Sequence, residues 1–138
     1  MAMEFKDHGK KPYMFDIEEA TIQNNNFRTT IWTGENLQLT VMSIKENEEA
    51  GLEIHEGIDQ FIRIVEGQGV CKMGETKDNL NFERAITTND AVLVPENMWH
   101  NIINTGGKPL KLYTLYSTPE HKEGTIHILR EDAPPHVD

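Results

Sequence analysis

The chain has 138 residues, of which 37% are hydrophobic and 26% are charged, a composition typical of one globular domain with a hydrophobic core. Its formal net charge of −10 argues against nucleic acids and anionic membranes as partners, because both require clustered Lys and Arg. A small-molecule ligand is left as the expected partner.

The ends of the chain and its cysteine content indicate the compartment. No window approaches the roughly 18 consecutive apolar residues of a membrane span. The amino-terminal stretch lacks an apolar run followed by a small-residue cleavage site, so we expect a cytoplasmic protein. Cys71 is the only cysteine, which excludes an internal disulfide, and we expect its thiol to be buried and inert.

Short runs rich in β-branched and aromatic residues dominate the chain, and they are separated by Gly, Asn, Asp and Pro. One segment, 16–22, indicates a helical turn. Many short strands with almost no helix predict an all-β sandwich or barrel. We expect a single domain over 1–138, with the barrel at about 28–129 and loose ends at 1–12 and 131–138. The predicted strands are 28–33, 37–44, 52–55, 60–66, 69–73, 80–87, 91–94, 99–103 and 110–117, with a weaker one at 125–129.

The stretch before and within the strand at 60–66 places polar side chains on one face. Side chains alternate along a strand, so Glu53 and His55 project to the same side. A four-residue loop at 56–59 would form a hairpin in which His55 lies opposite Gln60 and Glu53 lies opposite Ile62. This face combines a carboxylate, an imidazole and an amide with aliphatic side chains.

The opposite face of the same strand carries Phe61, Arg63 and Val65, so we expect Arg63 to point away from the polar cluster. Polar groups that are aimed into a barrel cost several kcal/mol unless a partner satisfies them. A metal ion is one such partner.

A second segment supplies another imidazole. The apolar strand 91–94 ends at Pro95, and the chain turns back at Asn97, a residue type that tolerates left-handed backbone geometry. His100 then opens the returning strand, with Ile102 on the same face.

With these two segments the chain resembles the cupin superfamily over roughly 37–117. The first cupin motif has the form G-x5-H-x-H-x3–4-E-x6-G, and this chain has Glu53-x-His55-x4-Gln60-x6-Gly67. The resemblance implies a double-stranded β-helix, that is, a jelly-roll-like barrel. The second motif, G-x5-P-x-G-x2-H-x3-N, is matched by Pro95, Asn97, His100 and Asn104, with Asn89 in its opening glycine position and Asn97 in its inner one.

The resemblance also implies that Glu53, His55, Gln60 and His100 hold one divalent metal ion, with Zn, Fe, Mn and Ni left open. Glu53 stands where the family has its first His, and Gln60 stands where the family has its Glu. Two imidazoles and a carboxylate are also the donors of the facial triad of non-haem Fe(II) sites. In the alternative interpretation, the four side chains only hydrogen-bond one another around a water molecule.

A finer resemblance is carried by residues 27–34, 37–40, 78–83, 108–116 and 123–127. With these stretches the whole chain resembles small single-domain cupins of the mannose-6-phosphate isomerase-like group. This resemblance implies a metal-dependent isomerase that acts on a sugar or a similar polar small molecule, with Glu53 as the catalytic base. It also implies a homodimer joined through sheet edges. Two alternatives stay open: a non-haem Fe(II) dioxygenase and a non-catalytic small-molecule-binding cupin.

The remaining histidines are expected to lie outside the site. Four of them fall in the tails or in the polar carboxyl-terminal stretch, namely His8, His121, His127 and His136. We expect His127 to be a surface residue of a strand. We also expect few cationic anchors for phosphate to face the cavity. Tyr113 and Tyr116 should face opposite sides of their strand, so at most one of them reaches the cavity.

Overall fold

Short strands separated by turns dominate the computed structural model of the chain, which describes residues 5–134. The all-β class that the sequence predicts is confirmed. Within this range the elements are the helix α1 (Ile17–Gln23), the strands β1 (Arg28–Thr33), β2 (Gln38–Ile44), β3 (Asp59–Glu66), β4 (Gln68–Gly74), β5 (Phe82–Thr87), β6 (Ala91–Val94), β7 (Trp99–Asn104), β8 (Leu110–Ser117) and β9 (Ile126–His127), and a final 3₁₀ turn (Arg130–Asp132).

The helix α1 lies where the sequence indicated a helical turn, and Asp16 begins it. The Asp16 carboxylate accepts a hydrogen bond of 3.0 Å from the backbone N–H of Glu19, one of the N–H groups that the helix itself leaves without a partner. Glu18 and Glu19 lie in the first turn, where negative charge favours the helix dipole. In the described part of the chain, no helix is long and apolar enough to cross a membrane.

The strands form two antiparallel sheets. One has six strands in the order β6-β3-β8-β2-β1-β9, and the other has three in the order β5-β4-β7. In the larger sheet β3 lies between β6 and β8, so both of its edges are hydrogen-bonded. In the smaller sheet β7 is at the edge. This free edge determines where the residues before β3 go.

The segment before β3 does not form the predicted strand. Residues 52–55 contain only an isolated bridge between Glu53 and His100, and the predicted pairing of Glu53 with Ile62 is wrong. The physical reason is that β6 and β8 already occupy both edges of β3. The segment therefore runs along the free edge of β7, where the N–H group of Ala50 donates a hydrogen bond of 2.7 Å to the carbonyl of Ile102.

The predicted pairing of Gln60 with His55 is also wrong, although the face that Gln60 occupies is as expected. Gln60 lies opposite Val94 on one side and Tyr116 on the other. Alternation along β3 buries Gln60 and Ile62 together, as the period of two requires. The pattern thus predicted the face, whereas the pairing partner depended on the topology.

The inward-facing side chains divide the barrel interior into an apolar end and a polar end. Register across β2, β8 and β3 places side chains of similar polarity beside one another. The apolar end consists of Ile44, Ile64, Leu110 and Leu112, which pack with Cys71, Met73, Ile86 and Ile102 of the smaller sheet. The polar end consists of the buried side chains of Gln38, Thr40, Gln60, Thr114 and Tyr116.

The amino-terminal segment covers the outer face of the six-stranded sheet. Residues 5–12, which the sequence led us to expect loose, contact β1, and the N–H of His8 donates a hydrogen bond of 2.8 Å to the carbonyl of Ile31. Tyr113 belongs to this outer cluster while Tyr116 is buried inside, as alternation predicts. The cluster consists of Ile31, Leu39 and Val41 with Phe5, Tyr13, Phe15, Ile17, Trp32, Tyr113 and Leu115.

Asp7 ties this segment to two other parts of the chain. Its carboxylate accepts hydrogen bonds from the N–H groups of Gly9 (2.9 Å), Thr33 (3.0 Å) and Gly124 (2.9 Å), and from the hydroxyl of Thr33 (2.6 Å). Burial acts to raise the pKa of this carboxyl group, but the hydrogen bonds from Thr33, Gly9 and Gly124 outweigh it, and the pKa is lowered from its ordinary value. The folded protein therefore stabilises the charged form.

We expect Asp7→Asn to lower the free energy of unfolding at pH 7 by about 1 kcal/mol, because the amide replaces one accepting oxygen with a donor. The effect is no larger because solvent screens the charge of a partly exposed carboxylate. Because the folded pKa is depressed, this stabilisation is present above the unfolded pKa and disappears as the pH falls through the folded pKa. Urea unfolding at pH 7 and pH 2 should thus show a smaller difference between variant and parent at pH 2. Asp78→Asn, at an exposed turn position, is the control, and an equal effect of the two substitutions would contradict the assignment.

Candidate metal and ligand site

The backbone holds Glu53 and His100 side by side. The N–H of each residue donates to the carbonyl of the other, and both hydrogen bonds are 2.9 Å long. Gly51, with φ of 106°, provides the left-handed conformation that the segment needs before this bridge. Directly opposed residues of antiparallel segments project to the same side. Two distant parts of the sequence thus contribute a carboxylate and an imidazole to one end of the barrel.

His55 is positioned by the turn that precedes β7. The N–H of Asn97 donates a hydrogen bond of 3.1 Å to the carbonyl of His55, and the side-chain oxygen of Asn97 accepts one of 3.2 Å from the N–H of Gly57. Asn97 has φ of 62°, the left-handed geometry that the sequence predicts for this turn. The turn therefore connects the segments that carry His55 and His100.

The two imidazole rings lie close together and share one protonation pattern. Both His55 and His100 are 5% exposed, and their ring centroids are 5.1 Å apart. Nδ1 of His100 lies 3.0 Å from the carbonyl oxygen of Met98, and since a carbonyl only accepts, Nδ1 carries the proton. Nδ1 of His55 lies 3.2 Å from Oε2 of Glu120. This contact is not a hydrogen bond, but the negative charge of the carboxylate favours a proton on the nearer ring nitrogen as well. In both rings Nε2 is then the lone-pair nitrogen, the form that a metal requires.

The amide of Gln60 is oriented by Thr114. Its Nε2 donates a hydrogen bond of 2.9 Å to the hydroxyl of Thr114, which assigns the other atom, Oε1, as an acceptor. Thr114 lies opposite Thr40 in the sheet, and Thr40 lies opposite Thr30. A row of buried hydroxyl groups therefore extends from Gln60 across β8, β2 and β1.

Six buried side-chain atoms lack a hydrogen-bond partner among the residues that the structure describes: Nε of Arg28, the hydroxyls of Thr30 and Thr40, Nε2 of His55, Oε1 of Gln60 and Oε2 of Glu120. Two of them, Nε2 of His55 and Oε1 of Gln60, belong to the predicted ligands. An unpaired buried polar atom costs about 1–3 kcal/mol, so these two acceptors indicate a partner from outside the chain. Imidazole nitrogen and amide oxygen fit a divalent ion of the Zn, Fe, Mn and Ni group. The donor chemistry is therefore compatible with the expected metal.

Glu53 lies between the imidazole of His55 and the guanidinium group of Arg28. Its Oε2 is 3.9 Å from Nε2 of His55, and its Oε1 is 3.8 Å from Nη2 of Arg28. Within the described range, no group of three or more His, Cys, Asp or Glu side chains has the arrangement that could hold a metal ion. Glu53, His55 and His100 nevertheless lie near one another, and Gln60 lies at the same end, opposite Tyr116. Their joint role as metal ligands stays a prediction.

A cavity of about 670 Å³ opens at this end of the barrel, within the size range of small-molecule sites. Glu53 and His55 form part of its wall. The loop between β8 and β9 and the 3₁₀ turn complete it, and they contribute the charged side chains of Glu120, Lys122, Arg130 and Glu131.

Arg28 is a residue of the cavity that sequence reasoning missed. It is 3% exposed and lines the cavity, and its Nη1 donates a hydrogen bond of 3.0 Å to Nδ1 of His127. Its guanidinium also lies over the ring of Phe27, at 5.2 Å from the ring centroid. The expectation that few cations face the cavity is therefore wrong. Alternation in the predicted strand 28–33 was the signal that could have placed Arg28 on the inner face.

His121 and His127 also border the cavity, although both were expected outside the site. Nε2 of His121 lies 3.3 Å from the hydroxyl of Tyr116. Burial, with smaller effects of Arg28, His55 and His127, lowers the pKa of His121 to about 3. Burial raises the pKa of Tyr116 to about 12. Both groups are therefore neutral at pH 7, and the phenol can still donate a proton in a hydrogen bond.

His8 lies away from this site. His8 stacks on Tyr13, with ring centroids 3.9 Å apart, and Tyr13 belongs to the outer cluster. His136 lies outside the described residues.

Gln38 holds the loop that carries Glu120 and His121. Its side-chain oxygen accepts hydrogen bonds from the N–H groups of Glu120 (3.0 Å) and His121 (2.8 Å), and its amide nitrogen donates to the carbonyl of His121 (2.8 Å) and the hydroxyl of Thr33 (3.0 Å). Gln38 is fully buried. A core side chain thus fixes two residues of the cavity wall.

Comparisons with known proteins agree with this architecture. Residues 40–116 match the family model of the cupin domain. The chain is 52% identical over 128 residues to the uncharacterized protein YrkC of Bacillus subtilis (strain 168), a match that covers 93% of this chain and 69% of that protein. It is also 36% identical over 119 residues to the uncharacterized protein L612 of Acanthamoeba polyphaga mimivirus, which covers 86% of this chain and 72% of the relative.

A solved structure shows the same fold over nearly the whole chain. The crystal structure of BH2720 from Bacillus halodurans superposes with a TM-score of 0.91 at 46% sequence identity, and the match covers 92% of this chain and 96% of that one. The two sheets, the matched family model and this likeness together confirm the double-stranded β-helix that the two motifs imply. The chain belongs to the cupin domain family.

Proposed function

We propose that this cupin holds one divalent metal ion at the polar end of its barrel and uses it to act on a small polar molecule in the cavity. The proposed ligands are Glu53, His55, Gln60 and His100. The observation that carries this proposal is that two of the proposed ligand atoms, Nε2 of His55 and Oε1 of Gln60, are buried without a hydrogen-bond partner among residues 5–134. The proposed reaction is an isomerisation of a sugar or a similar polar molecule.

The contacts behind the proposed ligands support this assignment. The Met98 carbonyl and the Glu120 carboxylate each face Nδ1 of an imidazole, which keeps the lone pair on Nε2. Thr114 holds the Gln60 amide so that its oxygen is the acceptor without a partner in the described chain. Such outer contacts orient metal ligands and raise their basicity.

The residues of the cavity provide a proton acceptor next to the proposed metal. A divalent ion bound here supplies Lewis acidity that polarises a carbonyl or hydroxyl group. The Glu53 side chain is 25% exposed and lines the cavity, so its carboxylate can reach a bound molecule. A carboxylate in such a position is suited to remove a proton from the carbon beside a polarised carbonyl. Arg28 contributes a positive charge 3.8 Å from this carboxylate.

The cluster of two imidazoles and one carboxylate also favours a second candidate, a non-haem Fe(II) dioxygenase. Two assays separate these functions. Aldose–ketose interconversion by the metal-loaded protein without oxygen would support the isomerase, and oxygen consumption by the ferrous protein would support the dioxygenase. Ligand-induced thermal stabilisation without turnover in either assay would instead indicate a non-catalytic binding protein.

We expect His55→Ala and His100→Ala to reduce the metal content of the purified protein to about a tenth of the parent value or less, because each removes an imidazole ligand. Elemental analysis of protein purified without a chelating resin measures this. His8→Ala is the matched control, since His8 stacks on Tyr13 at the outer face and its loss should leave the metal content unchanged.

Circular dichroism must show that the barrel of both variants is folded. Equal metal content in the folded variants and the parent would contradict the proposed ligand set.

We expect Gln60→Glu to bind the metal about tenfold more tightly, because a charged oxygen replaces a neutral one. In the metal-free protein the same substitution should lower the melting temperature, since a buried carboxylate then lacks its cation. Thermal melts with and without Zn²⁺ or Mn²⁺ measure both effects. Gln68→Glu introduces the same charge at an exposed position and should change neither value. A Gln60→Glu variant with parental metal affinity would show that Gln60 is not a ligand.

A further inference from the structure

Arg28 is a buried cation with few partners. It is 3% exposed, and among the residues described, its Nε is buried without a hydrogen-bond partner. The nearest carboxylate oxygen is Oε1 of Glu53, 3.8 Å from Nη2, which exceeds hydrogen-bond length. A buried charge is costly unless it is paired and hydrogen-bonded. The guanidinium therefore lacks an anion of good geometry.

The contacts of Arg28 leave one particular edge of the guanidinium available. Nη1 is committed to Nδ1 of His127 at 3.0 Å. The N–H groups of Nε and Nη2 lie parallel on the opposite edge of the planar group. This pair of parallel donors matches the two oxygens of a carboxylate, which arginine binds in a bidentate manner.

Arg28 is part of the cavity wall, as are His127 and Glu53. The charged lining consists of three cations (Arg28, Lys122 and Arg130) and three carboxylates (Glu53, Glu120 and Glu131), so its formal charge is zero. A divalent ion held by the proposed ligands would make the charge positive and favour an anionic ligand.

We infer that Arg28 is an anchor for a small carboxylate, so that the molecule bound in the cavity is a carboxylic acid with a further polar group, such as a hydroxy acid or a sugar acid. The carboxylate would occupy the Nε–Nη2 edge of Arg28. Glu53, which is near the same edge, is the competing anion, and its role as a metal ligand removes this competition. The inference rests on the proposed function for the position of the ligand and names its chemical class.

Isothermal titration of the metal-loaded full chain with glycolate, and with neutral glycolamide as its matched analogue, tests this inference. The parent protein should bind glycolate at least about tenfold more tightly than glycolamide, since a charge-assisted bidentate pair is lost in the amide. Arg28→Met should lose this preference, and Arg28→Lys should lose most of it, because an ammonium group lacks the planar pair of donors.

Arg130→Met is the matched control. Arg130 lines the same cavity, but its Nε donates a hydrogen bond of 2.8 Å to the carbonyl of Glu49. This substitution removes the same charge from the cavity and should change glycolate affinity by less than about threefold, the range of a screened surface charge. An equal loss in the Arg28 and Arg130 variants would show that only the net charge matters, and this would overturn the inference.

A measurement on the unmodified protein keeps the test independent of how the Arg28 variants fold. Glycolate should shift one arginine Nε–H resonance in the ¹H–¹⁵N spectrum of the parent, and glycolamide should not. The absence of such a shift would overturn the inference. Inorganic phosphate that shifts this resonance at lower concentration than glycolate would overturn the assignment to a carboxylate.

The result is distinguishable from failure of the proposed function. His100→Ala should lose the metal and still show the glycolate-dependent Nε–H shift, although at higher glycolate concentration. A parent protein that contains no metal but shows the shift would refute the metal site and keep the anion site. A metal-containing parent without the shift would refute the anion site and keep the metal site.

Discussion

The hydrogen-bonding of both edges of β3 is the constraint from which the site follows. With β6 on one side and β8 on the other, β3 cannot accept the residues that precede it in the chain. They run along the free edge of β7, and the backbone bridge between Glu53 and His100 results. Asn97 then holds the carbonyl of His55. The topology thus brings three of the four proposed ligands together from two segments, one with Glu53 and His55 and the other with His100.

The division of the barrel interior explains how the same fold is both stable and functional. Aliphatic side chains fill one end, where burial of apolar surface favours folding. The other end contains amides, hydroxyls and imidazoles, and several of its polar atoms, among them Nε2 of His55 and Oε1 of Gln60, have no hydrogen-bond partner within the described chain. Because unpaired polar groups reduce stability, a bound ion or molecule contributes most to the stability of the folded protein at this end.

The sequence predicted the all-β fold and the inward face of Gln60 because both depend on local patterns. The period of two buried Gln60, and the left-handed tolerance of Asn placed the turn at Asn97. The pairing of Glu53 could not be predicted in this way, since it depends on which strand edges remain free. The wall residues Glu120 and His121 were equally hidden, because the side chain that fixes their loop, Gln38, is 82 and 83 residues away in the chain.

X-ray absorption spectroscopy of the protein reconstituted with Zn²⁺ or Fe²⁺ tests the central claim most directly. We expect a first shell of nitrogen and oxygen donors only, with the multiple-scattering features of two imidazole rings that weaken to those of one ring in His100→Ala. A shell that contains sulfur, or one without imidazole scattering, would place the metal elsewhere and contradict the account of the polar end as a metal site.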